Sequence, residues 1–165
     1  MSEALVVIIM GSKADESHAR KISEAAARLG IATEMRVASA HKTPSDLIAI
    51  LAAYEADDRP KVYVTVAGRS NALSGFVDGA VSAPVIACPP SSEGYGGADL
   101  WSSVRMPSGI APALVMEPAN AALFAAKVLA LADRSLSGKI AAEREARIAE
   151  LRAADAEIRA RGGSR

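Results

Sequence analysis

Residues 4–10, ALVVIIM, form an unbroken apolar run rich in β-branched side chains. It is too short for a buried helix and fits a strand covered on both faces. Comparable runs recur at 34–37, 62–66, 84–87 and 113–116. Helical patterns fill the gaps. Ala19, Ile22, Ala26 and Leu29 keep three-four spacing, and Gly30 stops that helix. Thr43 can cap a second helix, with Pro44 suited to its first position. A short third helix is expected over about 71–79, and another from Pro118 through an Ala-rich stretch. Five strand-helix units in a row predict a parallel five-stranded sheet in a three-layer α/β/α sandwich. A doubly wound, flavodoxin-like order is the arrangement expected.

No linker or low-complexity segment divides the chain, so residues 1–165 read as one domain, with 134–165 a helical extension. Over 136–161 this extension is strongly charged, with a thin apolar stripe of Ile140, Ile148, Leu151 and Ile158. It either packs on its own domain or forms a seam to another subunit. The terminal Gly162-Gly163-Ser164-Arg165 is expected to fray. Half the residues are hydrophobic but only 4% are aromatic, so Ala, Val, Ile and Leu must fill the core. Acidic and basic residues balance at zero net charge, which argues against nucleic acid or a membrane surface as partner. No apolar run approaches the ~20 residues of a membrane helix, and no secretory leader is recognisable. Cys88 is the lone cysteine, so no intrachain disulfide forms. A cytoplasmic protein is expected.

Ligands of open α/β sheets bind outside the carboxyl ends of the strands. Gly11-Ser12-Lys13-Ala14-Asp15 follows the first strand and Ser39-Ala40-His41-Lys42-Thr43-Pro44 the second. Ala67-Gly68-Arg69-Ser70-Asn71 follows the third, and Cys88-Pro89-Pro90 opens a Gly- and Ser-rich loop after the fourth. The strands themselves are almost free of such polar groups. Gly11 permits close approach of a ligand. Ser12 offers a hydroxyl, and Asp15 either accepts from sugar hydroxyls or caps the first helix. Ser39 and Lys42 beside a helix start suit a phosphate, although Lys42 also fits a solvated charge. His41 is the candidate general acid–base, because imidazole chemistry spans neutral pH. Arg69, Ser70 and Asn71 line the same mouth or cap the third helix. Cys88 reads most simply as a small buried hydrophobe. A nucleophilic role for it would need His41 alongside. His18 is accounted for by a solvated helix face, and Trp101 by packing.

No G-x-G-x-x-G follows the first strand and no phosphate loop of the G-x-x-x-x-G-K type is present. Two histidines and one cysteine at unrelated spacings make a zinc site improbable, and no biotin attachment segment occurs. The residues alone reach a small phosphorylated ligand and acid–base chemistry with no metal and no evident cofactor.

At these clusters the chain resembles the PurE family, enzymes that handle carboxylated aminoimidazole ribonucleotide in purine biosynthesis. The matching segments are Met10-Gly11-Ser12 with Asp15, 39–44, 67–71, Cys88-Pro89-Pro90, and the run WSSVRMPSG over 101–109. They cover about residues 5–132. Mutases of the family typically carry a second histidine after the third strand, in a segment of A-H-L-P-G type. They often place a tryptophan after the first Asp and an arginine at the position of Lys42. Here 69–75 reads RSNALSG, Glu16 follows Asp15, and Lys42 is lysine. The resemblance is therefore to the direct carboxylase class, with the mutase as the alternative activity. A non-enzymatic flavodoxin-like binding module is a more distant alternative.

The resemblance implies that Ser12, Asp15, Ser39 and Lys42 hold ribose and phosphate, while Gly68 and Ser70 line the imidazole and carboxylate region. Gly11, Ala40, Ala67, Arg69, Asn71, Cys88 and Pro89 are further candidates. It implies a homo-oligomer, octameric or tetrameric, with sites near subunit boundaries. The substrates implied are phosphoribosyl aminoimidazole and carbon dioxide.

Overall fold

The apolar runs become β1 (Leu5–Met10), β2 (Ala32–Val37), β3 (Lys61–Val66), β4 (Val85–Ala87) and β5 (Ala113–Leu114) in a computed structural model that describes residues 4–91 and 94–162. All neighbours pair in parallel, in the order β2-β1-β3-β4-β5. This is the doubly wound, flavodoxin-like order. Helices α1 (Glu16–Arg28), α2 (Pro44–Glu55), α3 (Ala72–Asp78), α4 (Trp101–Val104), α5 (Pro118–Leu129) and α6 (Ser135–Gly162) complete the chain.

Successive strand side chains point to opposite faces, and this period of two builds two cores. Val6, Ile8, Met10, Val62, Val64, Ile86 and Cys88 face one layer, where Ile22 and Ala26 of α1 and the alanines of α5 pack. Leu5, Val7, Ile9, Tyr63 and Val85 face the other, against Leu47 and Leu51 of α2 and Leu73 and Val77 of α3. The small side chains of α1 and α5 bring those helices close together over the sheet.

Strand β2 differs from expectation. It begins at Ala32 and is partly to fully exposed along its length, because it is the sheet edge. Its polar residues tie down the amino-terminal side of the sheet. The Tyr54 hydroxyl donates to Glu34 over 2.7 Å, and Arg59 donates to Glu34 over 3.1 Å and to Asp57 over 2.8 Å.

Helix α6 settles one expectation in part. Leu136 is buried and Ile140 packs on the α1/α5 core. Ile148 is half-buried further along, whereas Leu151 and Ile158 are 73% and 69% exposed. Gly162 ends the helix; Gly163-Ser164-Arg165, expected to fray, lie outside the described residues.

Candidate active site

Register gathers the polar loops on one edge. Met10 stands opposite both Val37 and Val66, Thr65 opposite Ala87, and Ala87 opposite Leu114. All strands thus end at nearly the same level, and the residues that follow them share one rim. The chain crosses from one side of the sheet to the other between β1 and β3, which opens a crevice there.

At β1, the Gly11 N–H donates to the Val66 carbonyl over 2.9 Å. A Cβ on Gly11 would lie 3.3 Å from Ala67 Cβ, so this close approach favours glycine. Ser12 caps the single 3-10 turn Lys13–Asp15 by accepting from the Ala14 N–H, and remains exposed. Asp15 occupies the position before α1, but its side chain makes no capping bond there. The carboxylate instead faces the Ser12 backbone and His18. Burial pushes its carboxyl above the usual carboxylate range, with the Ser12 backbone and the nearby His18 pulling back.

At β2, residues 39–43 make a closed turn. The Ser39 N–H donates to Thr43 Oγ1 over 3.0 Å, and the Thr43 N–H donates to the Ser39 carbonyl over 2.9 Å. The Lys42 N–H approaches Ser39 Oγ at 3.3 Å. Thr43 thus spends its hydroxyl on this turn and makes no side-chain cap to α2, contrary to expectation. His41 and Lys42 stand exposed, with Ala40 half-buried beside them.

At β3, Gly68 is half-buried and Arg69 and Ser70 are exposed. Arg69 adopts φ +60°, a left-handed conformation uncommon for a residue with a side chain. Ser102 Oγ meets the carbonyls of Asp99 (2.7 Å) and Arg69 (3.2 Å) and accepts from the Asn71 N–H (2.8 Å). Asn71 is 2% exposed; its Oδ1 accepts from the Ser74 N–H and its Nδ2 donates to Ser103 Oγ over 2.8 Å. Asn71 therefore caps α3 and docks α4, and its amide is fully engaged beneath the rim. Residues 94–97, expected as loop, belong to a 3-10 segment, Gly94–Leu100, that leads into α4. Residues 92 and 93 of that loop lie outside the described residues.

At β4, Cys88 is fully buried, with Pro89 buried after it. Burial pushes the Cys88 thiol up to about 12, so it is protonated at neutral pH. His41 is not its partner: Sγ lies 3.4 Å from His18 Nε2. His18 is half-buried rather than on a solvated face. Its signal lay in the helical spacing, since it precedes Ile22 by four residues and so extends the buried stripe. Trp101, expected to pack, is 63% exposed.

Two cavities open on this edge. One, of about 210 Å³, is walled by Ala67, Gly68, Pro89, Leu100 and Met116 with Asp99 at its polar side. The other, of about 330 Å³, is lined by Asp15, Ser17, His18, Lys21, Ser91 and Glu117. Pro90, Ser91 and Met116 border both. His41 lines neither.

The family model of AIR carboxylase matches residues 5–150. The chain belongs to the AIR carboxylase family. Among relatives of this AIR carboxylase family member, the phosphoribosylaminoimidazole carboxylase of Treponema denticola is 54% identical over 136 residues, 82% of this chain and 86% of the relative. That of Archaeoglobus fulgidus is 54% identical over 153 residues, 93% of this chain and 84% of the relative. A bifunctional rat enzyme, named a phosphoribosylaminoimidazole carboxylase/succinocarboxamide synthetase, is 42% identical over 158 residues. The chain spans 37% of the length of that rat protein. The crystal structure of Treponema denticola PurE superposes with TM-score 0.92 at 49% identity, covering 93% of this chain and 98% of that one. The AIR carboxylase fold is thus shared across the whole sheet and both helical layers.

Proposed function

We propose that this enzyme adds carbon dioxide to the ring carbon of 5-aminoimidazole ribonucleotide, reversibly giving 4-carboxy-5-aminoimidazole ribonucleotide in purine biosynthesis. The observation that carries the reading is His41, exposed at the apex of a turn closed by Ser39 and Thr43 on the carboxyl edge of the sheet. Family membership and the carboxylase names of the relatives support the substrate class.

The aminoimidazole is an enamine, so its unsubstituted ring carbon is nucleophilic. That carbon forms a bond to carbon dioxide and becomes tetrahedral, still carrying its hydrogen. His41 takes this proton, the C–H electron pair returns to the ring, and aromaticity is restored. In reverse the imidazolium returns the proton and carbon dioxide leaves. Ser12, Asp15, Ser39 and Lys42 hold ribose and phosphate, and Gly68 and Ser70 face the imidazole and its carboxylate. Backbone N–H groups of Gly68 and Ser70 stabilise the developing carboxylate, the Arg69 N–H between them being turned to Asp99. Gly11, Ala40, Ala67 and Pro89 shape the crevice, and Arg69 fixes the turn. Asn71 and Cys88 act from beneath the rim, since both are buried.

We place the enzyme in the cytoplasm. Among the described residues no helix is long and apolar enough to cross a membrane. We also assign it a homo-oligomer, octameric or else tetrameric, a reading supported by exposed apolar side chains that include Ile48, Trp101, Val104, Phe124 and Leu131. Supplying aminoimidazole ribonucleotide with bicarbonate in one assay, and the N-carboxylated isomer in another, tests the reaction. Turnover only with the N-carboxylated isomer makes the chain a mutase, and no turnover with either overturns the proposal.

A further inference from the structure

The second histidine does work that the proposed reaction leaves unassigned. His18 follows Asp15 by three residues, so both side chains rise on the same flank of the first helical turn. Its Nε2 lies 3.4 Å from Cys88 Sγ at the end of β4, and the same sulfur lies 3.7 Å from the Met116 carbonyl after β5. The imidazole is thus one rung of a polar ladder that ties α1 to the exits of two strands. Asp15 and His18 also share the wall of the 330 Å³ cavity.

We infer that His18 is a positioning residue of the site: by bridging α1 to Cys88 it fixes where the Asp15 carboxylate stands when a sugar binds. The inference rests on the reading that Asp15 accepts from the ribose hydroxyls. Four ionisable groups face His18: Asp15 and Lys21 from its own segment, Cys88 from β4, and Glu117 before α5. Burial lowers the imidazole below its ordinary pKa, and Lys21 adds to this; Asp15, the Cys88 backbone and Glu117 oppose it. It is therefore mostly neutral near neutral pH. When protonated, the imidazole pulls the Asp15 carboxyl downward, against the larger upward push of burial. Among the described residues, no three His, Cys, Asp or Glu side chains are grouped to hold a metal ion, so the cluster is not read as a metal site.

The test compares wild type with His18→Phe, His18→Gln and Asp15→Asn, reading aminoimidazole ribonucleotide binding by calorimetry across pH together with kcat. His18→Phe is expected to weaken binding about tenfold near neutral pH, the scale of one lost polar contact, with kcat within about twofold. His18→Gln keeps a polar group for Cys88 but cannot become a cation. It should restore neutral-pH affinity, yet lose affinity at a higher pH than wild type as the medium is acidified. A folded His18→Phe with wild-type affinity and an unshifted pH profile overturns the inference. If His18→Phe does not fold, a His18→Gln profile that superimposes on wild type overturns it equally. Asp15→Asn separates the two claims. Wild-type binding by Asp15→Asn removes the ribose assignment and the inference with it. Weak binding by Asp15→Asn while both His18 variants follow wild type removes the inference alone.

Discussion

Ser39 and Thr43 hold each other across the turn that presents His41, each donating a backbone N–H to the other residue, at 3.0 and 2.9 Å. Only Ala40, His41 and Lys42 lie between them, so the imidazole is aimed by two short bonds. Thr43→Val keeps the side-chain shape and deletes the oxygen that Ser39 N–H uses. The expected result is a kcat reduced by about tenfold. Stability should fall by no more than ~1 kcal/mol, because this turn is exposed. Steady-state kinetics beside thermal melts separates the two effects.

His41→Asn should lower kcat by about 100- to 10,000-fold while leaving the melting temperature and nucleotide affinity close to wild type. Near-normal turnover by a folded variant would remove His41 from the proton step.

Asn71→Ala removes two bonds from a buried site, the cap to Ser74 N–H and the donor to Ser103 Oγ. The expected loss of folding stability is about 2–3 kcal/mol. Urea unfolding measures it. An unchanged midpoint would mean that α4 is held by other contacts.

The buried Cys88 thiol, pushed up to about 12, should resist alkylation by iodoacetamide in mildly alkaline buffer and react quickly once urea unfolds the chain. Its folded pKa is raised, so its contribution to stability is complete below the ordinary thiol value of ~8.5 and is lost as the pH climbs toward about 12. Equal labelling rates in native and denatured protein would contradict this burial.

Arg59 holds the carboxyls it touches below their usual range, Asp57 at about 2 and Glu34 lower than ordinary, the latter chiefly through Tyr54. Both shifts are depressions. The stability they contribute is therefore present above ~4 and is lost as the pH falls toward about 2. Arg59→Met should move the acid-unfolding midpoint to higher pH. Circular dichroism through an acid titration reads this directly, and an unmoved midpoint argues that the cluster is neutral for stability.

The sheet was legible because β-branched runs buried on both faces have few other uses, and because the loops after them carry the polar residues. Strand β2 was legible only in part, since an edge strand need not be apolar; Thr33, Glu34 and Arg36 dilute its pattern. The 94–104 segment had no local signature. Its place is fixed by Asn71, Ser102 and Ser103, which lie some thirty residues apart in sequence. His18 was misplaced because a single polar residue beside Ser17 and Arg20 looks like solvent-facing helix. Its partner Cys88 is seventy residues away in the chain. Trp101 packs into neither core of its own domain, and an aromatic side chain carries no mark that tells a core from a subunit contact.

The rim exists only when distant strand ends stand level. Met10 and Val66 meet across β1 and β3, and Cys88 reaches His18 only after β4 has joined them. Turnover therefore depends on pairing between β1, β3 and β4, which are far apart in the chain, and hydrophobic collapse by itself leaves this edge unassembled.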